Sequence, residues 1–342
     1  MPLAIGYRVG VSLRGAAYRK GWLKTRRLKQ PVVSVGNLTM GGTGKTPLVA
    51  YLAERLVARG WKPAILTRGY GRDRAAEVIA VEPASKRAPD PREIGDEPAL
   101  LARKLPEAPI VVGANRYLAG CLAEEHFNVD VHLLDDGFQH LALARDLDIV
   151  LLDVTQSFSK AELLPAGRLR EPCAALKRAH LVVLSRSQLG VPAGMAERVR
   201  EINPQVKIFA SVTRLSKILD FANGTLHEPE ELPGDPVLAF CGIGNARAFF
   251  ADVRKWGFSV TGEVAFGDHH VYGAGELDRL VSRARQSGAA ALITTEKDLM
   301  NFPAGWHSEI PVRACVIKTE LSEPQAFEAA VVERLEAART RV

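Results

Sequence analysis

Cysteine is scarce in this 342-residue chain and never closely paired: Cys121, Cys173, Cys241 and Cys315 stand far apart, with no C-x-x-C. That scatter argues against a zinc site or a disulfide framework and fits a reducing cytoplasm. No apolar run approaches the roughly 20 residues that a bilayer-spanning helix needs. A secretory signal would show a longer apolar stretch and a cleavage site, and neither is evident. Short-period repeats and low-complexity segments are missing too. Acidic residues are absent from the whole start: the first is Glu54, whereas residues 1–30 hold eight Lys and Arg. The net charge is +6, so setting those eight aside leaves 37 basic against 39 acidic residues, a balance of −2. The excess charge belongs to an N-terminal arm, not to a basic folded face of the kind nucleic-acid binding wants.

What is present is ordinary globular material, 47% apolar and 25% charged, long enough for two domains. The stretch that organises it is PVVSVGNLTMGGTGKT, Pro31 to Thr46. A short β-branched run passes into a glycine-rich turn and then into the helical pattern LVAYLAERLVARG. Strand, glycine loop and helix form the context of a phosphate-binding P-loop. The glycines turn backbone N–H groups inward, and the helix points its positive end at the same spot. Thr39, Met40, Gly41, Gly42, Thr43, Gly44, Lys45 and Thr46 are the expected nucleotide-binding residues. Lys45 would reach the β- and γ-phosphates of ATP, and the Thr46 hydroxyl would hold Mg²⁺. Thr39 departs from the usual pattern, which has glycine there.

In the arm, Ile5, Val9 and Leu13 lie four apart, as do Tyr18 and Trp22, which would put each set on one helical face. Aromatics among arginines suit an interfacial helix on an anionic membrane surface, each basic residue adding about 1 kcal/mol. Beyond the P-loop, strands are expected at 63–66, 109–112, 129–134, 147–152, 180–184 and 206–212, with helices at 95–105 and 115–126. Alternation of this kind implies a parallel sheet with helices on both faces. The pattern changes at 213–235, where Asn223-Gly224 marks a hairpin turn and Pro229 to Pro236 reads as a linker. A fresh strand–turn–helix unit begins with VLAFCGIGNARAFF. The organisation expected is an arm over 1–30, a P-loop core over 31–212, a hairpin and linker, and a smaller α/β domain over 236–342. The fold class is therefore α/β, P-loop NTPase-like.

Asp135 and Asp136 close an apolar run, where a parallel sheet presents ligands, and fit a Walker-B role on Mg²⁺ opposite Thr46. Asp153, ending IVLLD, competes for that role. The doubled pair is favoured, since adjacent carboxylates beside a phosphate–metal site are costly without a cation. Asp96 opens a helix, so it reads either as a helix cap or as a general base accepting a hydroxyl proton. In Asp268-His269-His270, neighbouring histidines point apart in extended chain, which favours one histidine paired with a carboxylate over a shared metal.

The motifs NLTMGGTGKTP, LTRGYGR, GDEP, LLDDGFQH, LLPAGRLREP, FGDHH and TTEKD follow one another nearly end to end. Together they resemble the tetraacyldisaccharide 4′-kinase family of lipid A biosynthesis. The resemblance implies ATP-dependent phosphorylation of the 4′-hydroxyl of a tetraacylated glucosamine disaccharide 1-phosphate, giving lipid IVA. It also implies a peripheral, monomeric protein on the cytoplasmic face of the inner membrane, with a glycolipid substrate and no nucleic acid. Under it Asp96 is the base assisted by His269, and Glu171 joins Asp135 and Asp136 in the metal region. Arg68, Tyr70, Glu97, Arg116, Gln139 and His140 become substrate contacts. The rival readings are a switch ATPase of the partition or septum-site type and a nucleotide-binding membrane adaptor. The first would carry a lysine at Met40 and gives no reason for GDEP or DHH.

Overall fold

The computed structural model describes residues 2–70, 72, 77–83, 90–156, 162–231 and 234–340. Gly71 of LTRGYGR and Leu232-Pro233 of the expected linker lie outside the described residues. The chain forms two compact units, Met1–Val212 with Thr319–Val342, and Thr213–Lys318.

The first unit begins with α1 (Pro2–Arg19), β1 (Val32–Asn37), α2 (Lys45–Val57), β2 (Pro63–Thr67) and β3 (Ile79–Val81). It continues through α3 (Pro91–Ile94), α4 (Asp96–Lys104), β4 (Ile110–Val112), α5 (Arg116–His126) and β5 (Val131–Asp135). Then come β6 (Leu147–Asp153), β7 (Leu181–Ser185), α6 (Met195–Ile202) and β8 (Lys207–Asp220). The strand order is β8-β7-β6-β1-β5-β2-β4-β3. Every pairing is parallel except the edge pair β3–β4. β1, β2, β5, β6 and β7 are buried along their whole length, which is why they read as continuous apolar runs and not as alternating ones. β1 occupies the interior position between β5 and β6, so its carboxyl end opens beside theirs.

The arm is only partly an arm. Helix α1 ends at Arg19, so Tyr18 and Trp22 do not share a helical face. Downstream, Arg26 pairs its backbone with Ala142 and Ala144, and Leu28 is buried against Gly120, where a Cβ would meet Leu28 Cδ1 at 2.2 Å. Leu28 is thus built into the core, whereas Lys24 to Arg27 and Lys29 stay exposed along it.

The second unit holds the end of β8, β9 (Leu226–His227), β10 (Pro236–Cys241), α7 (Ala246–Lys255), β11 (Ser259–Ala265) and α8 (Ala274–Gln286). It closes with β12 (Ala291–Thr295), α9 (Glu296–Leu299) and most of β13 (Val312–Leu321). Its strands run β11-β10-β12-β13, all parallel. Alternate residues of β10 enter two separate cores. Val237, Ala239 and Cys241 pack with Phe249 and Val253 of α7, whereas Leu238 and Phe240 pack with Leu277 and Leu280 of α8. The Asn223-Gly224 turn joins β8 to β9 as an antiparallel pair, with Gly224 at φ 70°.

The sequence reading gives the last helix to the smaller domain. α10 (Pro324–Arg339) instead belongs to the first unit. Phe327 is fully buried edge-on against Phe209, 5.2 Å between centroids. Glu328, also buried, accepts from Tyr51 Oη at 3.0 Å, Arg55 Nε at 2.7 Å and Arg59 Nη2 at 2.7 Å, all on α2 or just beyond it. Burial works against the Glu328 carboxylate, but hydrogen bonds from Arg59, Arg55 and Tyr51 outweigh it and hold its pKa below the usual glutamate range. A depressed carboxylate contributes stability above its unfolded pKa of about 4.3 and loses it as pH falls through the lower folded value. Glu328→Gln should therefore unfold at lower denaturant near neutrality, by about 1–3 kcal/mol, and the gap to wild type should close on acidification toward pH ~3. Parallel curves for the two proteins across that range would show that the clamp contributes nothing.

Candidate active site

The loop after β1 is held from two sides. Thr43 is buried, its hydroxyl accepting from Asn37 Nδ2 at 2.9 Å and its carbonyl from Ser185 Oγ at 2.8 Å. Gly41 (φ 108°) and Gly44 (φ 87°) take left-handed conformations that only glycine adopts cheaply, and Lys45 then starts α2. The Thr39 departure has a physical account. Thr39 bridges Leu169 antiparallel, flanked by Met40 N–H to Arg168 O at 2.7 Å and Arg170 N–H to Leu38 O at 2.7 Å. An extended, paired residue needs no glycine, so the loop's first turn is replaced by a short ribbon with the LLPAGRLREP segment.

The acidic pair faces this loop. Thr46 Oγ1 donates to Asp135 Oδ2 at 3.2 Å, and Lys45 Nζ lies 3.6 Å from Asp136 Oδ1. Arg170 Nη1 reaches both Asp136 oxygens, at 2.8 and 2.7 Å. Asp136 sits at φ 54°, a left-handed turn that aims its carboxylate at these cations. Burial opposes the Asp136 charge, yet Lys45, Arg170 and Arg116 keep its pKa below the normal aspartate value. Asp135 is treated differently: burial first, then the charge of Glu97, pushes it up to about 7. Its Oδ1 is buried with no hydrogen-bond partner among the described residues. An orphaned carboxylate oxygen beside a P-loop threonine fits a divalent cation. Among the described residues no cluster of three or more His, Cys, Asp or Glu could hold a metal unaided. Mg²⁺ does not ask for one, taking one or two carboxylates with phosphates and water.

The competing Asp153 is occupied: its Oδ1 accepts from Thr155 N at 2.9 Å and Oγ1 at 2.6 Å, and Arg186 Nε lies 3.3 Å from Oδ2. Glu171, expected in the metal region, is bound by other partners. Arg178 holds both its oxygens, at 2.9 and 3.0 Å, and Gln139 Nε2 donates at 3.1 Å. Gln139 Nε2 also reaches Asn37 O at 2.9 Å, which ties Glu171 to the carboxyl end of β1.

Asp96 is not a cap. Gly95 (φ 98°) occupies the cap of α4 and Asp96 is the first helical residue, 5% exposed, with Oδ1 accepting from Glu97 N at 2.8 Å. Gly69 and Gly95 pack backbone to backbone, a Cβ on Gly95 falling 3.1 Å from Gly69 Cα, so LTRGYGR and GDEP form one corner. There Arg68 donates to Tyr70 Oη at 3.1 Å, and Tyr70 is half exposed. Arg116, buried at the start of α5, donates to Gly113 O at 3.1 Å; burial lowers its pKa to about 10 against the pull of Asp136 and Asp135. His140 is driven down to about 4 by burial, then by Arg116, Arg145, Arg14 and Arg68, so it stays neutral amid cations.

Arg170, Arg178 and Arg14 had no role assigned from sequence. Arg170 stands in the LLPAGRLREP motif read only for its glutamate, and Arg14 donates from α1 to Gln139 O at 3.3 Å. In the second unit, His270 Nε2 meets Glu276 Oε2 at 3.2 Å and stacks on Phe266, whereas His269 Nε2 lies 3.4 Å from Lys297 Nζ.

The family model for tetraacyldisaccharide-1-P 4′-kinase matches residues 1–336. The chain belongs to that family. Tetraacyldisaccharide 4′-kinases of Geobacter metallireducens and Geobacter sulfurreducens are each 40% identical to it, covering 96% and 97% of the chain and 95% and 91% of those proteins. A crystal structure of LpxK from Aquifex aeolicus, an "apo" form in complex with ATP, is 31% identical, has a TM-score of 0.76 and covers 98% of each chain. The chain is thus a kinase with the expected P-loop α/β fold.

A cation held between Thr46 and Asp135 would displace the proton that a pKa of about 7 leaves there in acid solution. Affinity for Mg²⁺·ATP should therefore rise with pH up to about 7 and then level off, with proton release at pH ~6 measured by calorimetry in buffers of different ionisation enthalpy. Asp135→Asn should abolish that release. Binding at pH ~6 without any proton exchange would remove Asp135 from the cation site.

Proposed function

We propose that this kinase transfers the γ-phosphoryl group of ATP to the 4′-hydroxyl of tetraacyldisaccharide 1-phosphate at a membrane surface, giving lipid IVA. The observation that carries this reading is the meeting of Lys45 and Thr46 with Asp136 and Asp135 at the carboxyl ends of β1 and β5. Lys45 and Arg170 supply positive charge where the transferred group develops negative charge. Thr46 and Asp135 would hold Mg²⁺, which neutralises the phosphates when bound. Asp96 accepts the proton of the attacking hydroxyl as the new O–P bond forms and the bond to the departing ADP breaks. Its burial and its place off the helix cap support that role. His269 assists it.

The cations around neutral His140, among them Arg14, Arg68 and Arg116, suit the 1-phosphate of the acceptor, with Tyr70, Glu97 and Gln139 lining the headgroup site. Helix α1 leaves Ile5, Val9 and Leu13 exposed at 63, 50 and 64%. No described helix is long and apolar enough to cross a membrane. An apolar stripe flanked by arginines lies on an anionic bilayer instead, on the cytoplasmic face of the inner membrane, with the protein working as a monomer. A switch ATPase or a membrane adaptor would leave the headgroup cations without a task.

Asp96→Asn should reduce turnover of the glycolipid, followed with labelled ATP and product mass, by about 10²–10⁴-fold, with ATP affinity nearly unchanged. Turnover close to wild type would overturn the base assignment. Replacing Ile5, Val9 and Leu13 together by serine should lower co-sedimentation with anionic vesicles and leave ATP binding intact. Vesicle binding indifferent both to that change and to salt would sink the interfacial reading of α1.

A further inference from the structure

The lysine of the TTEKD motif touches the first histidine of FGDHH. Both are fixed to one residue. Gly242, at the carboxyl end of β10, donates its N–H to Asp298 Oδ1 at 2.7 Å and accepts from His269 N–H at 3.1 Å. It has no room for a side chain, since a Cβ would fall 2.8 Å from His270 Cβ. Asp298 is 1% exposed and accepts besides from Tyr272 Oη at 2.8 Å, Thr294 Oγ1 at 2.9 Å and Thr295 Oγ1 at 2.6 Å. That network locks the α9 turn carrying Lys297. On the other side His269 sits at φ 58°, in the left-handed region that few residues other than glycine, Asn, Asp and His enter, and its neighbour His270 is stacked 4.5 Å from Phe266. The two side chains are therefore presented to each other by rigid backbone.

At their meeting point Lys297 Nζ lies 3.4 Å from His269 Nε2 and 3.5 Å from Asp268 Oδ1. His269 Nε2 itself is 3.9 Å from the same Asp268 oxygen. An ammonium group has donors only, so a hydrogen bond to it requires a bare Nε2 with its lone pair turned to the lysine. The ring proton then resides on Nδ1. Asp268 pulls the other way: a carboxylate beside Nε2 favours a proton there, as the Nε2–H tautomer or as imidazolium. Lys297 stands against that pull, pairing with the carboxylate and donating to the ring.

We propose that Lys297 is a positioning residue that keeps His269 neutral as the Nδ1–H tautomer and shields it from Asp268. The inference rests on His269 taking part in phosphoryl transfer only for its effect on turnover; the tautomer itself is independent of that reading.

The test uses the full chain with ¹⁵N-labelled histidine side chains. Bare and protonated ring nitrogens resonate far apart in long-range ¹H–¹⁵N spectra, and His269→Gln identifies the signals. Wild type near neutral pH should show a bare Nε2 and a protonated Nδ1. Lys297→Met should move the proton to Nε2 or give imidazolium, and Lys297→Arg should keep the wild-type pattern. Turnover of the glycolipid should fall about 10–100-fold in Lys297→Met, the range typical of lost orienting contacts, with KM for ATP unchanged and recovery in Lys297→Arg. A protonated Nε2 in wild type overturns the proposal with no variant needed, and so does an unaltered tautomer in Lys297→Met. A switched tautomer with full turnover upholds Lys297 and removes His269 from the reaction instead.

Discussion

Two consecutive carboxylates buried at the end of one strand set the terms for the first unit. Charge of one sign in a low-dielectric site is tolerable only with counter-charge close by. Three cations supply it from three separate places: Lys45 at the start of α2, Arg116 at the start of α5, and Arg170 from LLPAGRLREP. Each needs its own segment held against β5, which accounts for the ribbon between Thr39 and Leu169 and the tight turn at Asp136. Compensation favours one of the pair. Asp136 takes the direct contacts, while Asp135 keeps a threonine hydroxyl and one orphaned oxygen. The pair is thus built asymmetrically, one carboxylate paired by cations of the protein and the other keeping an oxygen with no hydrogen-bond partner among the described residues.

Most of the elements in the first unit were legible because their signals are local. Buried parallel strands read as apolar runs, and the P-loop is a contiguous spacing of glycine, lysine and threonine. What escaped depends on contacts far along the chain. Nothing in Lys24 to Gln30 announces that Leu28 fills a notch over Gly120, more than 90 residues away. Glu328 looks like one more acidic residue on an amphipathic helix until Tyr51, Arg55 and Arg59 converge on it. β3 is three residues long and flanked by polar chain, too short for a period to show.

Among the candidate site residues the same division holds. Lys45, Thr46, Asp135 and Asp136 could be found because each ends or starts an element at a recognisable place. Asp96 could be singled out only as a carboxylate at a helix start; that Gly95 takes the cap position and Asp96 the first helical one depends on the backbone turn at φ 98°, which has no signature beyond the glycine itself. Glu171 shows the reverse gap. The residue type suits a metal, but its oxygens belong to Arg178 and Gln139, and only the structure reveals partners that outnumber its lone acidic appearance in the sequence.

Helix α1 carries two different faces. Tyr7 and Arg14 lie seven residues apart on one face and reach inward, Tyr7 to Arg170 O at 3.0 Å and Arg14 to Gln139 O at 3.3 Å. Ile5, Val9 and Leu13 form a different face and are exposed. A small soluble phosphate would be served by the inward cation alone, and an apolar surface by the stripe alone. A single helix that offers both at once has the character an amphiphile would need, polar contacts on one face and an exposed apolar stripe on another. Because His140 is held at about 4, it adds no charge beside Arg14, Arg68 and Arg116 at neutral pH.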